Sequence, residues 1–252
     1  MKEIIKNAAG ENIDYTFATG EKSAHHKGWL VILGHGLTGN KDRPLITEMA
    51  DALNQAGFDT LRFSFSGNGD SEGDFRDSNI TKGDRDLKAI VSAASKNYTS
   101  LCYLGHSMGS ASGVLRASQD VRLNCLISLA GIVQTESFAK KEFGGEIPDE
   151  GFMWEDENAP LSQQFMDDLC KKIRNIVSQA KGVSIPWLLV HGNADETVNP
   201  NDSNLIKTLK ADAVDLVVVR NADHSFTKPA HKQKAIDAVV TWLTQRTHSA
   251  PK

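Results

Sequence analysis

Cysteine is scarce in this chain. The three in 252 residues, Cys102, Cys125 and Cys170, are an odd number without the spacing of a metal site. Cys102 and Cys125 fall inside apolar runs and read as buried structural thiols. Clusters of lysine and arginine are also missing, and the formal charge is -4, so there is no electrostatic footprint for nucleic acid. No apolar run approaches the length needed to cross a bilayer, which argues against a membrane partner. The opening residues, Met1-Lys2-Glu3-Ile4-Ile5-Lys6, are charged and lack the apolar core of a signal peptide, so a cytoplasmic protein is expected. Repeats and low-complexity segments are absent. Apart from His224, no histidine is read as spaced for a metal site with another His, Asp or Glu on one face, and neither metal nor cofactor is expected.

What is present is one α/β core's worth of chain with an insertion, read as a single domain over residues 1–252. Residues 1–20 carry two weakly alternating segments that suggest a hairpin at a sheet edge, and His25-His26 follow in what reads as an exposed polar turn. Trp29-Leu30-Val31-Ile32-Leu33 is an unbroken apolar run, the mark of a strand buried on both faces. Further strands are expected at 58–65, 101–104, 123–130, 185–190 and 214–219. Helices are expected at 44–55, 80–96, 109–118, 202–210 and 229–246. The alternation predicts a mostly parallel, twisted sheet of about eight strands with helices on both faces.

The sharpest motif is Gly105-His106-Ser107-Met108-Gly109 between a predicted strand and a predicted helix. Gly-x-Ser-x-Gly in that context is a nucleophile elbow, in which a tight, strained turn lifts the serine hydroxyl above the sheet. A second glycine-rich loop, Gly34-His35-Gly36-Leu37-Thr38-Gly39, ends the first buried strand. It satisfies the letter of the dinucleotide fingerprint. That fingerprint expects an acid at the end of the next strand, whereas the only acid in 58–65, Asp59, stands at the wrong end. A phosphate-binding loop fails as well, because Asn40 occupies the position that needs lysine. The remaining reading is an oxyanion loop: His35-Gly36 lets the backbone turn beside the serine and frees the amide of Leu37, with the amide of Met108 as the second donor. Ser66-Gly67-Asn68-Gly69-Asp70-Ser71-Glu72-Gly73 reads as a tight turn on the rim.

More than fifty residues separate the strand at 123–130 from the next confident one, too many for an ordinary connection, so residues 132–184 are read as an inserted cap. The insert is rich in acids and aromatics, and Phe138, Phe152 and Trp154 are candidates to roof the site. With no basic cluster near the predicted mouth, multiply anionic coenzyme A should be repelled and neutral esters favoured.

Ligands bind open parallel sheets at the carboxyl ends of the strands, where Leu37, Ser107, Asp195 and His224 all fall. A serine needs a neutral imidazole to take its proton, and the imidazole needs a carboxylate to fix its tautomer. Asp195 is the expected acid; Asp223, adjacent to His224, is the rival, and adjacent side chains rarely converge. His106, flanking the serine, and Gly36 are further candidates for substrate contact. His35 and His191 are expected to matter only as backbone turns, and His231 and His248 to be exposed on the last helix.

Gly34-His35-Gly36, Gly105-His106-Ser107-Met108-Gly109, His191-Gly192-Asn193-Ala194-Asp195 and Asp223-His224 occur in the order of an α/β-hydrolase, which the chain resembles from about Trp29 to its last helix. The segments His35-Gly36-Leu37-Thr38-Gly39-Asn40-Lys41 and 65–73 are similar to those of bacterial cinnamoyl/feruloyl esterases and their serine-aminopeptidase-like relatives. The resemblance implies a cap over the site and hydrolysis of small carboxylic esters through an acyl-enzyme. A thioesterase or small peptidase with the same triad, and a non-catalytic ligand-binding homologue, stay open. Oligomeric state is not legible, a homodimer included.

Overall fold

The computed structural model describes residues 3–21 and 26–248, the side chain of His248 excepted. A two-stranded hairpin, β1 (Ile5–Lys6) and β2 (Asn12–Ile13), stands apart from a seven-stranded sheet. That sheet is built from β3 (Tyr15–Ala18), β4 (Trp29–Gly34), β5 (Asp59–Phe63), β6 (Ser100–His106), β7 (Leu123–Leu129), β8 (Trp187–Gly192) and β9 (Val214–Val219). Their spatial order is β3-β5-β4-β6-β7-β8-β9, parallel except for β3, which runs antiparallel along β5 at the edge. The predicted edge hairpin is thus two features, a separate hairpin packed against the helix Ile80–Ala94 through Ile5, Ile13 and the Asn7–Asp86 bond, and one antiparallel edge strand.

The apolar runs are buried on both faces because both faces carry helices. Along β4, Leu30 and Ile32 join the core under α2 (Ile80–Ala94) and α3 (Met108–Ala117). Val31 and Leu33 point the other way, beneath α1 (Pro44–Gln55) and α8 (Pro229–His248). The period of two in a strand produces this split, and burial of each such side chain contributes roughly 1.5–3 kcal/mol. Helix starts follow local chemistry. Pro44 opens α1 with its fixed φ, and Asn79 caps α2 by accepting the amide of Lys82 at 2.8 Å.

Between β7 and β8 the chain forms α4 (Thr135–Phe143), α5 (Gln163–Asp167), a π-turn at Asp168–Ile173 and α6 (Val177–Gly182). A knot of rings, with Phe138, Trp154 and Phe165 each packed edge-on or tilted against Phe143, holds this insertion together. The insertion is tied to the core at several points. Asp202, in α7 (Asn201–Lys210), accepts the amides of Val133 at 2.6 Å and Gln134 at 3.0 Å. Ser162 donates to the carbonyl of Arg76, and Asp168 accepts the amide and hydroxyl of Thr81. No helix among the described residues is long and apolar enough to cross a membrane.

Two histidine expectations are corrected. His26 is buried, stacked on Phe58 with 3.9 Å between ring centroids, while His25 lies outside the described residues. His231 is half-buried rather than exposed, and the side chain of His248 lies outside the described set.

Candidate active site

Ser107 leaves β6 with φ 52° and ψ -118°, a left-handed conformation that a serine adopts only when its surroundings enforce it. Those surroundings are glycine contacts. A Cβ on Gly105 would lie 2.6 Å from the backbone of Gly109, and one on Gly109 would lie 2.3 Å from the carbonyl oxygen of His35. Nothing larger than hydrogen fits at either place, and the turn between β6 and α3 presents the Ser107 hydroxyl.

His224, in the loop after β9, brings Nε2 to 3.0 Å from Ser107 Oγ and Nδ1 to 2.8 Å from Asp195 Oδ2. Asp195 sits in the loop after β8, its side chain fully shielded from solvent. Burial pushes its pKa up, but hydrogen bonds from His191 and His224, with the amide of Val198, outweigh this and hold the carboxyl well below its ordinary range. The rival Asp223 is turned away and accepts the amide of Thr227 at 2.8 Å.

The imidazoles of His35 and His191 do more than mark turns. His191 is buried and donates Nε2–H to Asp195 Oδ2 at 3.0 Å, while its Nδ1 accepts the hydroxyl of Ser203 at 2.7 Å. Asp195 Oδ2 is therefore shared between two histidines, and Oδ1 takes the amides of Thr197 and Val198 at 2.9 and 2.8 Å. His35 accepts the amide of Phe65 on Nε2 at 2.9 Å and donates Nδ1–H to the carbonyl of Gly36 at 2.7 Å. Burial, with Arg43 adding to it, lowers its pKa to about 4, so the ring is neutral and pins the glycine-rich loop. These roles depend on partners far along the chain. The only local signal was the i,i+4 spacing of His191 and Asp195.

Gly36 approaches the serine closely: a Cβ there would meet Ser107 Cβ and His106 Nδ1, each at 3.0 Å. Neither the amide of Leu37 nor that of Met108 has an acceptor among the described residues. His106, its pKa lowered to about 3 by burial and then by the neighbouring His224, donates Nε2–H to the backbone carbonyl of His224 at 3.1 Å. It thereby holds the backbone that carries the imidazole.

A cavity of about 500 Å³ opens above Ser107. Gly36, Leu37, His106, Ser107, His224 and Trp154 line it, so the structure brings these candidates together. Met108, whose side chain is buried in the core, is not in the wall. Phe138 and Phe152 are not brought there either: Phe138 is buried in the ring knot, and Phe152 pairs with Pro160 on the insertion's surface. Trp154 has φ 52° and ψ 36°, and its indole N–H donates to Glu142 at 2.8 Å. The same wall carries Arg43 and Lys232, two cations beside a mouth at which no basic cluster was expected. A wider depression of about 820 Å³ beside the hairpin is lined by paired charges such as Lys82–Glu11 and Lys171–Asp167, and holds none of the candidates.

Residues 49–250 match the prolyl oligopeptidase family. The chain belongs to that family. It is an α/β-hydrolase and a serine hydrolase. Est1E from Butyrivibrio proteoclasticus, in a structure with ferulic acid bound, is 24% identical and superposes with a TM-score of 0.85 over 96% of this chain and 98% of that one. The Pyrococcus furiosus esterase Pf2001 is 18% identical with a TM-score of 0.75, over 96% of this chain and 89% of its own. At such identities the likeness is one of fold. An uncharacterized 31.7 kDa protein in the traX-finO intergenic region of Escherichia coli is 28% identical over 130 residues, 50% of this chain and 44% of that protein. The chain therefore aligns with less than half the length of this relative of the family member.

Proposed function

We propose that this family member is a serine carboxylesterase hydrolysing small esters through an acyl-enzyme, with Ser107 as nucleophile, His224 as base and Asp195 as the acid that orients it. The observation that carries this reading is the unbroken run from Ser107 Oγ to His224 at 3.0 Å and on to Asp195 at 2.8 Å, set in the wall of a cavity. Ser107 Oγ attacks the ester carbon as its proton passes to His224 Nε2. The tetrahedral oxyanion accepts from the amides of Leu37 and Met108, and the alcohol leaves with the proton from His224. Water, activated by the same imidazole, then adds to the acyl carbon, and collapse releases the acid and restores Ser107. Asp195 stays ionised throughout and stabilises the imidazolium.

The family's description favours peptide bonds as a second reading, since the triad fixes acyl transfer but not the leaving group. A cavity of about 500 Å³, half-roofed by Trp154, suits a small substrate of either kind. A fluorophosphonate probe should label Ser107, and a matched panel of esters, thioesters and amides should show esters turned over fastest. Absence of labelling would leave a ligand-binding homologue, and faster amide cleavage would make the protein a peptidase.

A further inference from the structure

Every ionisable side chain in the wall of the catalytic cavity is a histidine or a cation: His35, His106, His224, Arg43 and Lys232. Among the described residues no Asp or Glu lines it. Of the acids close to it, Glu48 pairs with Lys232, Glu196 lies exposed beside Thr197, and three more are engaged elsewhere. Asp195 is fully shielded behind His224, Asp223 is turned onto the amide of Thr227, and Glu142, which holds the Trp154 indole, is paired with Lys141 at 2.9 Å. His35 and His106 are neutral at ordinary pH, because burial has lowered them to about 4 and about 3. With Lys232 offset by Glu48, the wall presents the positive charge of Arg43, unpaired among the described residues, beside the serine, although the chain as a whole is acidic.

The two cations differ in how they are held. Around the loop that carries Leu37, the other basic side chains have carboxylate partners: Lys41 pairs with Asp14 and Asp42, and Arg62 with Asp42. Arg43 has none among the described residues; one Nη donates to the carbonyl of Thr38 at 2.9 Å, which fixes the guanidinium and leaves most of its five donors free. Lys232, with only 15% of its side chain exposed, spends one donor on Glu48 and keeps the others. An arginine anchored through a carbonyl is pre-organised to accept a carboxylate in fork geometry, and the lysine adds its free donors. Leu37, Pro44, Leu45 and Ile46 supply an apolar strip in the same wall.

We infer that the cleft takes esters that bear a carboxylate, with Arg43 as the anchoring residue and Lys232 as the supporting donor. This rests on the esterase reading of Ser107 and deepens it by naming the substrate class. A neutral ester still reaches the serine but forgoes the ion pair.

The test uses two isosteric pairs and the full-length protein. Monomethyl glutarate is compared with methyl 5-oxohexanoate, so that the acyl half differs only in charge, and O-butyryl glycolate with its amide, so that the alcohol half does. At low salt, kcat/KM for the charged member of at least one pair should exceed that of its neutral isostere by on the order of tenfold, the scale of one charge-assisted contact. The ratio should shrink as the screening length falls from about 10 Å at 0.1 M salt to about 3 Å at 1 M. It should collapse in Arg43→Gln, fall partway in Lys232→Met, and stay put in Arg85→Gln, which lies in the remote depression. Calorimetric binding of the same four esters to Ser107→Ala reads the preference without turnover. Tighter binding of a charged ester there, with no hydrolysis by the wild type, would keep the substrate class and discard the esterase reading. Neutral esters preferred in both pairs, or a ratio indifferent to Arg43→Gln, would overturn the inference.

Discussion

The core loops and the inserted segment at residues 132–184 both carry strained backbone, and they use it differently. In the core, the left-handed Ser107 is locked by glycines with no room for a methyl group, and behind it His191 and His224 both bond to Asp195. In the insertion, Asp149, Trp154, Glu155 and Arg174 also have positive φ, yet what surrounds them is a cluster of rings and short helical pieces. One region holds Ser107, His224 and Asp195 at hydrogen-bonding distances. The other holds a surface, of which a single indole reaches the cavity. The lesson is that strain marks function only where its neighbours leave no alternative.

The sharpest way to break this contrast is to loosen the core without unfolding it. Asp195→Asn should keep the fold and lower kcat by on the order of 10⁴, since the amide favours the wrong imidazole tautomer. His191→Gln should lower kcat by about tenfold, the scale of one hydrogen bond to a charged group, with little change in KM and a shifted pH–rate profile. Wild-type kinetics in Asp195→Asn would end the triad assignment, and an unshifted profile in His191→Gln would reduce that residue to packing.

Within the insertion, the rings should separate into two kinds. Phe138→Ala removes a buried ring from the knot and should cost about 3–5 kcal/mol of stability with no change in substrate preference. Trp154→Ala, at a half-exposed position in the cavity wall, should change the ranking of substrates while shifting the melting temperature little. Chemical denaturation and a substrate panel on both variants check this, and an exchange of the two outcomes would erase the distinction.

Acid should find the core first, because the insertion contains no histidine. His35 titrates at 6.5 when unfolded and at about 4 in place, so between those values the unfolded chain takes up the proton that the native state refuses. Stability from this residue is full above 6.5 and falls by about 1.4 kcal/mol per unit as pH drops towards 4. Comparing wild type with His35→Gln by denaturation across that range should show the wild type losing its advantage steadily. Parallel curves would mean that the ring is not neutral in the native state.

Much of this was legible beforehand because its causes are local. Pro44 and Gly57 bracket α1, the apolar runs mark β4 and β6 to β9, and the elbow announces itself by glycines two residues either side of Ser107. Asp195 and His224 could be placed because strand ends in a parallel sheet share one edge. The tasks of His35 and His191 were hidden because their partners, Phe65 and Ser203, come from other segments and leave no periodic trace. The basic side of the cleft was missed for the same reason. Arg43 and Lys232 are 189 positions apart in the chain, and only the packing of α1 beside α8 joins them. The insertion was read from the length of the connection and its acidic, aromatic composition, and aromatic residues in a short, irregular segment do not reveal which of them faces inward.

The ties between the insertion and the core, at Asp202, Ser162 and Asp168 and through Lys141 to the carbonyl of Thr197 and Lys210 to that of Val183, bear on traffic. A segment fastened at Val133 and Gln134, at Ser162 and Asp168, and again at Val183 cannot swing as a rigid flap without giving up several hydrogen bonds at once. The predicted route for substrate in and product out therefore runs past Trp154, a lining residue that can turn on its own χ angles when it releases Glu142. Product exit would then be timed by a rotamer rather than by a hinge, and Glu142→Gln should quicken it in stopped-flow. A release rate unmoved by that change, yet raised by cutting the Thr81 tie, would put the hinge back.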